Sequence, residues 1–188
     1  MNNRDHLLTC ALNLFAARGY DAVGVQEIAE AAGITKPTLY HYFGSKSGLL
    51  ETLLEENFTA LFKALEGASV YNRNVVDTLN AIAGAYFDFA RQNPRFYRLQ
   101  LSMGFAPPES DAFKAIQLIN QRQRNQLEAF FLRAAEDHGN MRGRHQAYAA
   151  TFLGMLNTHV TLALNGSLAL TPELSQNAVR QFMYGIFS

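Results

Sequence analysis

The chain has 188 residues, 48% hydrophobic and 17% charged, which excludes a disordered segment and supplies enough length to bury a sizeable core without disulfide staples. Sixteen basic residues balance sixteen acidic ones, so nucleic-acid binding by sheer basicity is excluded and any such binding must use a local surface. The single cysteine, Cys10, allows no intramolecular bridge. No apolar run approaches the ~18 residues of a membrane span, and Met1 to Cys10 lacks the pattern of a signal peptide, so a cytoplasmic protein is expected.

Leu8, Leu12 and Phe15 fall at i, i+4 and i+7, with Leu7 and Ala11 beside them, and predict a first helix that Gly19 closes. Further helices are predicted at about 25–32, 36–43, 46–66, 74–93, 95–104, 109–138, 144–165 and 173–187, giving an all-α fold of about nine helices. Val, Ile and Thr nowhere alternate with polar residues long enough to suggest a strand. Phe105 to Asp111 and Asp137 to Arg144 read as short connections, the first around the Pro107–Pro108 pair and the second around two glycines. Short helices give way to long ones near Phe43 to Ser47, which divides the chain into 1–45 and 46–188.

Within the first part, Val25 to Tyr42 has the layout of a helix-turn-helix. Ile28, Ala29 and Ala32 give the first helix an apolar edge narrow enough for close approach. Gly33 supplies the positive φ of a tight turn, Ile34 plugs the angle, and Thr35 caps the next helix. Leu39 and Tyr42 are expected to point inward, leaving Lys36, Pro37, Thr38, Tyr40 and His41 on the outer face. A helical hairpin with a glycine turn is common by itself, so the following context carries the weight: Tyr40, Tyr42, Phe43 and Gly44, then Ser45 and Lys46 opening a new helix. The Tyr40 hydroxyl, the Lys46 ammonium and the free N–H groups of a helix start can face one phosphate backbone.

From about Leu8 to Leu54, with LYHYFGSK as its most specific element, the sequence resembles the TetR family of bacterial transcriptional regulators. That resemblance implies a nine-helix homodimer whose three N-terminal helices read operator DNA and whose remaining helices bind a ligand and dimerise. Gly24 departs from the Ser or Thr frequent in the family before the second helix, which removes a side-chain cap and a phosphate contact. The expected DNA contacts are Thr35, Lys36, Pro37, Thr38, Tyr40, His41 and Lys46. Tyr40 and Lys46 are assigned to phosphates, Lys36 and Thr38 to base edges, and His41 to either. In residues 1–50, Arg4, Arg18, Lys36 and Lys46 are balanced by Asp5, Asp21, Glu27 and Glu30, so each reading head is expected to bind modestly and to depend on dimerisation.

In the second part, aromatics crowd the stretch from Tyr86 to Phe131, where filling a core is the simpler reading. The sharper one is a cavity for an apolar or aromatic effector near Phe89, Phe96, Phe152, Met155 and His159. Helix 144–165 sets Tyr148, Phe152, Met155 and His159 on one face and the small residues Ala147, Thr151, Gly154, Thr158 and Thr161 on another. Leu153, Leu156, Val160 and Leu164 occupy a third side, so the helix is expected to be covered nearly all round. With helix 173–187, carrying Val179, Phe182, Met183 and Ile186, it is the candidate four-helix dimer interface. Arg91, Arg95, Arg98, Arg122 and Arg124 read as a solvated face rather than an anion site.

No phosphate loop, zinc-binding His pair or nucleophile elbow occurs, and no catalytic residue, metal or cofactor is expected. Cys10 reads as a small buried hydrophobe. The expected function is a DNA-binding repressor released from double-stranded operator DNA by a small apolar or aromatic effector. A helical adaptor that binds proteins, without DNA or ligand switching, is the alternative.

Overall fold

The computed structural model describes residues 2–185, and among them the fold is all-α. The nine helices are α1 (Asn3–Arg18), α2 (Val25–Ala31), α3 (Lys36–Phe43), α4 (Lys46–Ala68), α5 (Val75–Gln92), α6 (Pro94–Met103), α7 (Asp111–Asp137), α8 (His145–Leu164) and α9 (Pro172–Tyr184). A single 3-10 turn, Gly139–Met141, joins α7 to α8. The predicted end of the last helix, with Ile186, lies outside the described residues.

Local chemistry sets these boundaries. Asn2 caps α1 by accepting from the Asp5 N–H at 2.9 Å, and Gly19, at φ 83°, ends it by donating to Phe15 O at 2.8 Å. Pro37, Pro94 and Pro172 each stand in a first helical turn, where a missing N–H costs nothing. The buried stripe of α1 is Leu7, Leu8, Ala11 and Phe15, whereas Leu12 is half-buried. The neighbours of the predicted i, i+4 ladder thus carry more of the packing than Leu12.

Packing divides the chain into two compact units, one of residues up to Thr59 with Pro94–Ile119, the other of Ala60–Asn93 with residues from Asn120 onward. Helices α4 and α7 contribute to both. The core of the first unit runs past residue 45, because α4 continues it through Leu49, Leu50, Leu53 and Phe58, all buried.

In the first unit α1 packs on α2 and α6, and α2 on α3. Leu7, Phe15, Ile28, Leu39 and Leu49 are buried at its centre, and Phe58 meets Phe96 edge-on at 5.0 Å between ring centroids. Each such side chain removed from water contributes about 1.5–3 kcal/mol. Arg95 ties α6 to α1 through Asn13 Oδ1 at 3.2 Å.

In the second unit α5 packs on α8 and α9, and Leu79, Ile82, Tyr86, Phe130, Phe152 and Val179 are buried. The buried Tyr86 hydroxyl donates to Gln123 Oε1 at 3.1 Å, so this polar pair enters the core satisfied on that side. Most of the aromatics between Tyr86 and Phe131 therefore do fill cores. Phe105, in the connection between α6 and α7, is 91% exposed instead, and Phe113 is half-buried.

Helix α8 is covered on one side within a single chain. Leu153, Leu156 and Val160 are buried, but Ala147, Thr151, Gly154, Thr158 and Thr161 are exposed within one chain. Conversely, Val179 of α9 is buried inside the unit rather than offered to a partner. Among the described residues, no helix is long and apolar enough to cross a membrane.

Candidate nucleic-acid interface

Helices α2 and α3 are joined by the turn the sequence calls for. Gly33 adopts φ 65°, its N–H donates to Glu30 O at 3.1 Å, and Ile34 N–H reaches Ala29 O at 3.0 Å. Thr35 caps α3 by accepting from Thr38 N–H at 3.3 Å, and its hydroxyl lies 2.9 Å from that of Thr38. The Thr38 side chain is thus half-buried and engaged before any base edge arrives. No side chain caps α2 at Gly24; Glu27 in its first turn pairs instead with Arg18.

Leu39 and Phe43 form the inner edge of α3, and Tyr42 does not. The expected inward place of Tyr42 is corrected because the i+4 partner of Leu39 is Phe43, which leaves Tyr42 rotated outward and 40% exposed. Its ring stands edge-on to His41 at 5.7 Å. Thr35, Lys36, Pro37, Tyr40 and His41 are exposed along α3 and its cap, with Tyr40 at 46%. Tyr42 therefore belongs to this outer face, and counting from Leu39 in steps of four would have placed it there.

The corner after α3 is tightly made. Gly44, at φ 73°, donates to Tyr40 O at 2.8 Å, and Ser45 Oγ accepts from Gly48 N–H at 2.9 Å to start α4. A Cβ at Gly48 would stand 2.2 Å from Phe43 O, so only glycine fits there.

Lys46 turns inward across this corner. Its ammonium donates to Tyr20 O at 2.6 Å and lies 4.0 Å from the Tyr20 ring centroid and 5.9 Å from that of Phe15. Burial lowers its pKa, opposed by the nearby carboxylates of Asp21 and Asp111. Burial likewise pushes the Tyr20 phenol up to about 12, with Asp111 and Asp21 adding to the shift. An ammonium has three N–H donors, so two remain beyond the one given to Tyr20.

The residues expected around an effector are distributed as follows. Phe96 belongs to the first unit, packed on Phe58, while Phe89, Phe152, Met155 and His159 belong to the second. Phe152 is buried against Phe182 at 5.0 Å and Phe131 at 6.4 Å. His159 is half-buried, with Nδ1 2.9 Å from Met155 O and its ring 6.1 Å from Phe87. The second unit also holds a half-open cavity of about 750 Å³ lined by Phe131, Tyr148 and Phe182 among others, and none of those five residues is in its wall. Arg91, Arg95, Arg122 and Arg124 are engaged by Asp88, Asn13, the Phe62 ring and Gln121 respectively, as a solvated face requires. Cys10 is half-buried, and burial raises its thiol pKa.

Comparison with known proteins points to the same segment. A family profile described as bacterial regulatory proteins, tetR family, matches residues 7–53, which hold the buried part of α1, all of α2 and α3, and the start of α4. Over 96 residues the chain is 36% identical to the HTH-type transcriptional activator FasR of Mycolicibacterium smegmatis, a match covering 51% of this chain and 44% of that protein. It is 25% identical over 132 residues to the biofilm operon icaADBC HTH-type negative transcriptional regulator IcaR of Staphylococcus aureus, covering 68% of this chain and 69% of that one. The matched segment thus spans less than half the length of FasR. Among solved structures, the TetR family transcriptional regulator PfmR from Thermus thermophilus is similar with a TM-score of 0.74 and 26% identity, over 97% of this chain and 99% of that one.

Proposed function

Because the chain belongs to the TetR family of bacterial transcriptional regulators, which are DNA-binding factors rather than enzymes, we propose that it is a homodimeric repressor released from its operator by a small apolar or aromatic effector. The observation that carries this reading is the exposed side of α3. Lys36, Pro37, Tyr40, His41 and Tyr42 are exposed together on a helix whose other edge, Leu39 and Phe43, is locked into the core. Residues 1–45 read DNA, and residues 46–188 hold the effector and the dimer contact.

Two copies of α3 enter successive major grooves about 34–36 Å apart. Dimerisation is supported by α8, which has no Asp, Glu, Lys or Arg between His145 and Asn165 yet exposes Ala147, Thr151, Gly154, Thr158 and Thr161. An uncharged exposed strip of small residues suits close approach of the same helix from a second copy, with α9 beside it. The effector is assigned to the neighbourhood of Phe89, Phe152, Met155 and His159 in the second unit, and α4 carries its effect to the reading heads. A coupling of about 1–3 kcal/mol changes operator affinity about 5–150-fold.

The test is a mobility-shift titration of the full chain against DNA upstream of its own coding sequence, repeated with a panel of apolar and aromatic compounds. A sequence-specific shift that one compound class reverses is the expected result. No specific shift at any salt, with a protein partner recovered instead, overturns this reading in favour of an adaptor.

A further inference from the structure

Gln123 occupies a position of α7 that the helix pattern reserves for an apolar side chain. With Leu127, Phe130 and Ala134 it falls at i, i+4, i+7 and i+11, a stripe that is buried throughout, and Gln123 itself is only 1% exposed. Its amide carries two N–H donors and one carbonyl oxygen. The oxygen accepts from the Tyr86 hydroxyl at 3.1 Å, whereas Nε2, equally shut off from solvent, has no partner among the described residues. A donor buried without an acceptor is destabilising, and a leucine here would avoid it.

The Tyr86 contact fixes which end of the amide is left over. Because the hydroxyl gives its hydrogen to Oε1, the remaining end is the donor end. Tyr86 is fully buried and stands one turn before the buried Phe89, on the same side of α5. Phe89 is one of the residues assigned to the effector, so the unmade donors are anchored to the α5 face that the effector is placed against.

We propose that Gln123 is the polar contact of the effector site: its Nε2 donates to a carbonyl oxygen on an otherwise apolar ligand, and Tyr86 holds the amide for it. This rests on the placement of the effector under the repressor reading and narrows its chemistry to an apolar body bearing one uncharged acceptor, such as a ketone. The acceptor is uncharged because a single neutral amide does not offset the desolvation of a carboxylate in a buried site.

The experiment is isothermal calorimetry on the full chain with phenyl alkyl ketones, from acetophenone to decanophenone, each beside the 2-phenyl-1-alkene in which a methylene group replaces the oxygen. At least one ketone is expected to bind saturably and about tenfold more tightly than its alkene, the scale of one hydrogen bond. Gln123→Met should bring the affinity of that ketone down to that of the alkene and leave the alkene unchanged. Combining Gln123→Met with Tyr86→Phe removes both halves of the pair, and should show the same loss with the thermal midpoint kept or raised. No saturable ketone binding, equal binding of ketone and alkene by the unmodified protein, or a ketone preference that survives Gln123→Met overturns the proposal. Operator release, measured in parallel, separates the two readings. A Gln123-dependent ketone preference without release of operator defeats the repressor reading alone, and release that is the same for ketone and alkene defeats the role of Gln123 alone.

Discussion

Lys46 Nζ donates to the backbone oxygen of Tyr20 at 2.6 Å and sits 4.0 Å over the same residue's ring, so one ammonium fastens the start of α4 to the loop after α1. The hydrogen bond and the cation–π contact favour the charge, whereas burial opposes it and lowers the pKa. The residue assigned to a phosphate is therefore also a clamp that fixes the angle at which α3 is presented.

Replacing Lys46 by Met keeps the apolar stem and removes both contacts. A net loss of about 1 kcal/mol is expected, lowering the thermal midpoint by about 2–4 °C. If the two remaining N–H donors reach phosphate, affinity for all DNA sequences falls alike and the salt dependence flattens by about one unit. A lower melting point with unchanged DNA affinity and salt slope leaves Lys46 the clamp alone.

The Tyr20 phenol gives a pH signature. Its pKa in the folded chain, about 12, lies above the ordinary value of 10, chiefly through burial. The stabilisation from keeping it protonated is present in full below pH 10 and is lost as pH rises toward 12. Tyr97, fully buried, is shifted in the same direction, so Tyr20→Phe should remove only part of the alkaline decline. Denaturant titrations at pH 8 to 11.5 measure it; identical declines for the two proteins rule out the Tyr20 contribution.

Gly48→Ala is the sharpest test of the corner. The new methyl would meet Phe43 O at 2.2 Å, and neither that backbone atom nor the first turn of α4 can swing aside as a side chain does. A destabilisation of about 1–3 kcal/mol is expected despite alanine's better helix propensity. Gly67→Ala, whose added methyl meets nothing within 4 Å, is the control and should be neutral or stabilising.

Much of this was legible in the sequence because caps and turns act locally. Gly33, Thr35, Gly44 and Ser45 do what their types imply, and the helix limits follow. The inward place expected for Tyr42 fails because Phe43, the i+4 partner of Leu39, takes the core position, which leaves Tyr42 exposed. The inward turn of Lys46 was hidden because its partner, the Tyr20 carbonyl, is 26 residues away and has no side-chain signal. The cavity in the second unit escaped for the same reason: Arg73, Phe131, Tyr148 and Phe182 come from the connection before α5 and from α7, α8 and α9.

Gly154 separates folding from assembly. A Cβ built there meets nothing within 4 Å inside the chain, so Gly154→Leu introduces no intrachain clash at that atom and improves helix propensity by up to about 1 kcal/mol. If the small strip of α8 meets its counterpart, the variant should sediment as a monomer or a weakened dimer while its helix content is retained. A dimer of unchanged strength places the interface elsewhere, and a monomer for the unmodified protein removes the dimer altogether.

The face of α3 is tested last, by changes that leave its inner edge alone. Tyr40 is half exposed, so Tyr40→Phe removes only the hydroxyl, and the thermal midpoint should not move. A hydroxyl bonded to phosphate is worth about 1.5–3 kcal/mol, which predicts at least a tenfold loss on operator and unrelated DNA alike. Lys36, exposed at the first position of α3, is aimed at a base edge, so Lys36→Ala should cost about 1–3 kcal/mol on the operator and less on unrelated sequence. Thr38 already shares its hydroxyl with Thr35, so Thr38→Ser tests the methyl group with the intrahelical contact kept. Equal operator affinity for the unmodified, Tyr40→Phe and Lys36→Ala proteins would remove this face from the DNA, since no other change in these variants compensates for a lost contact.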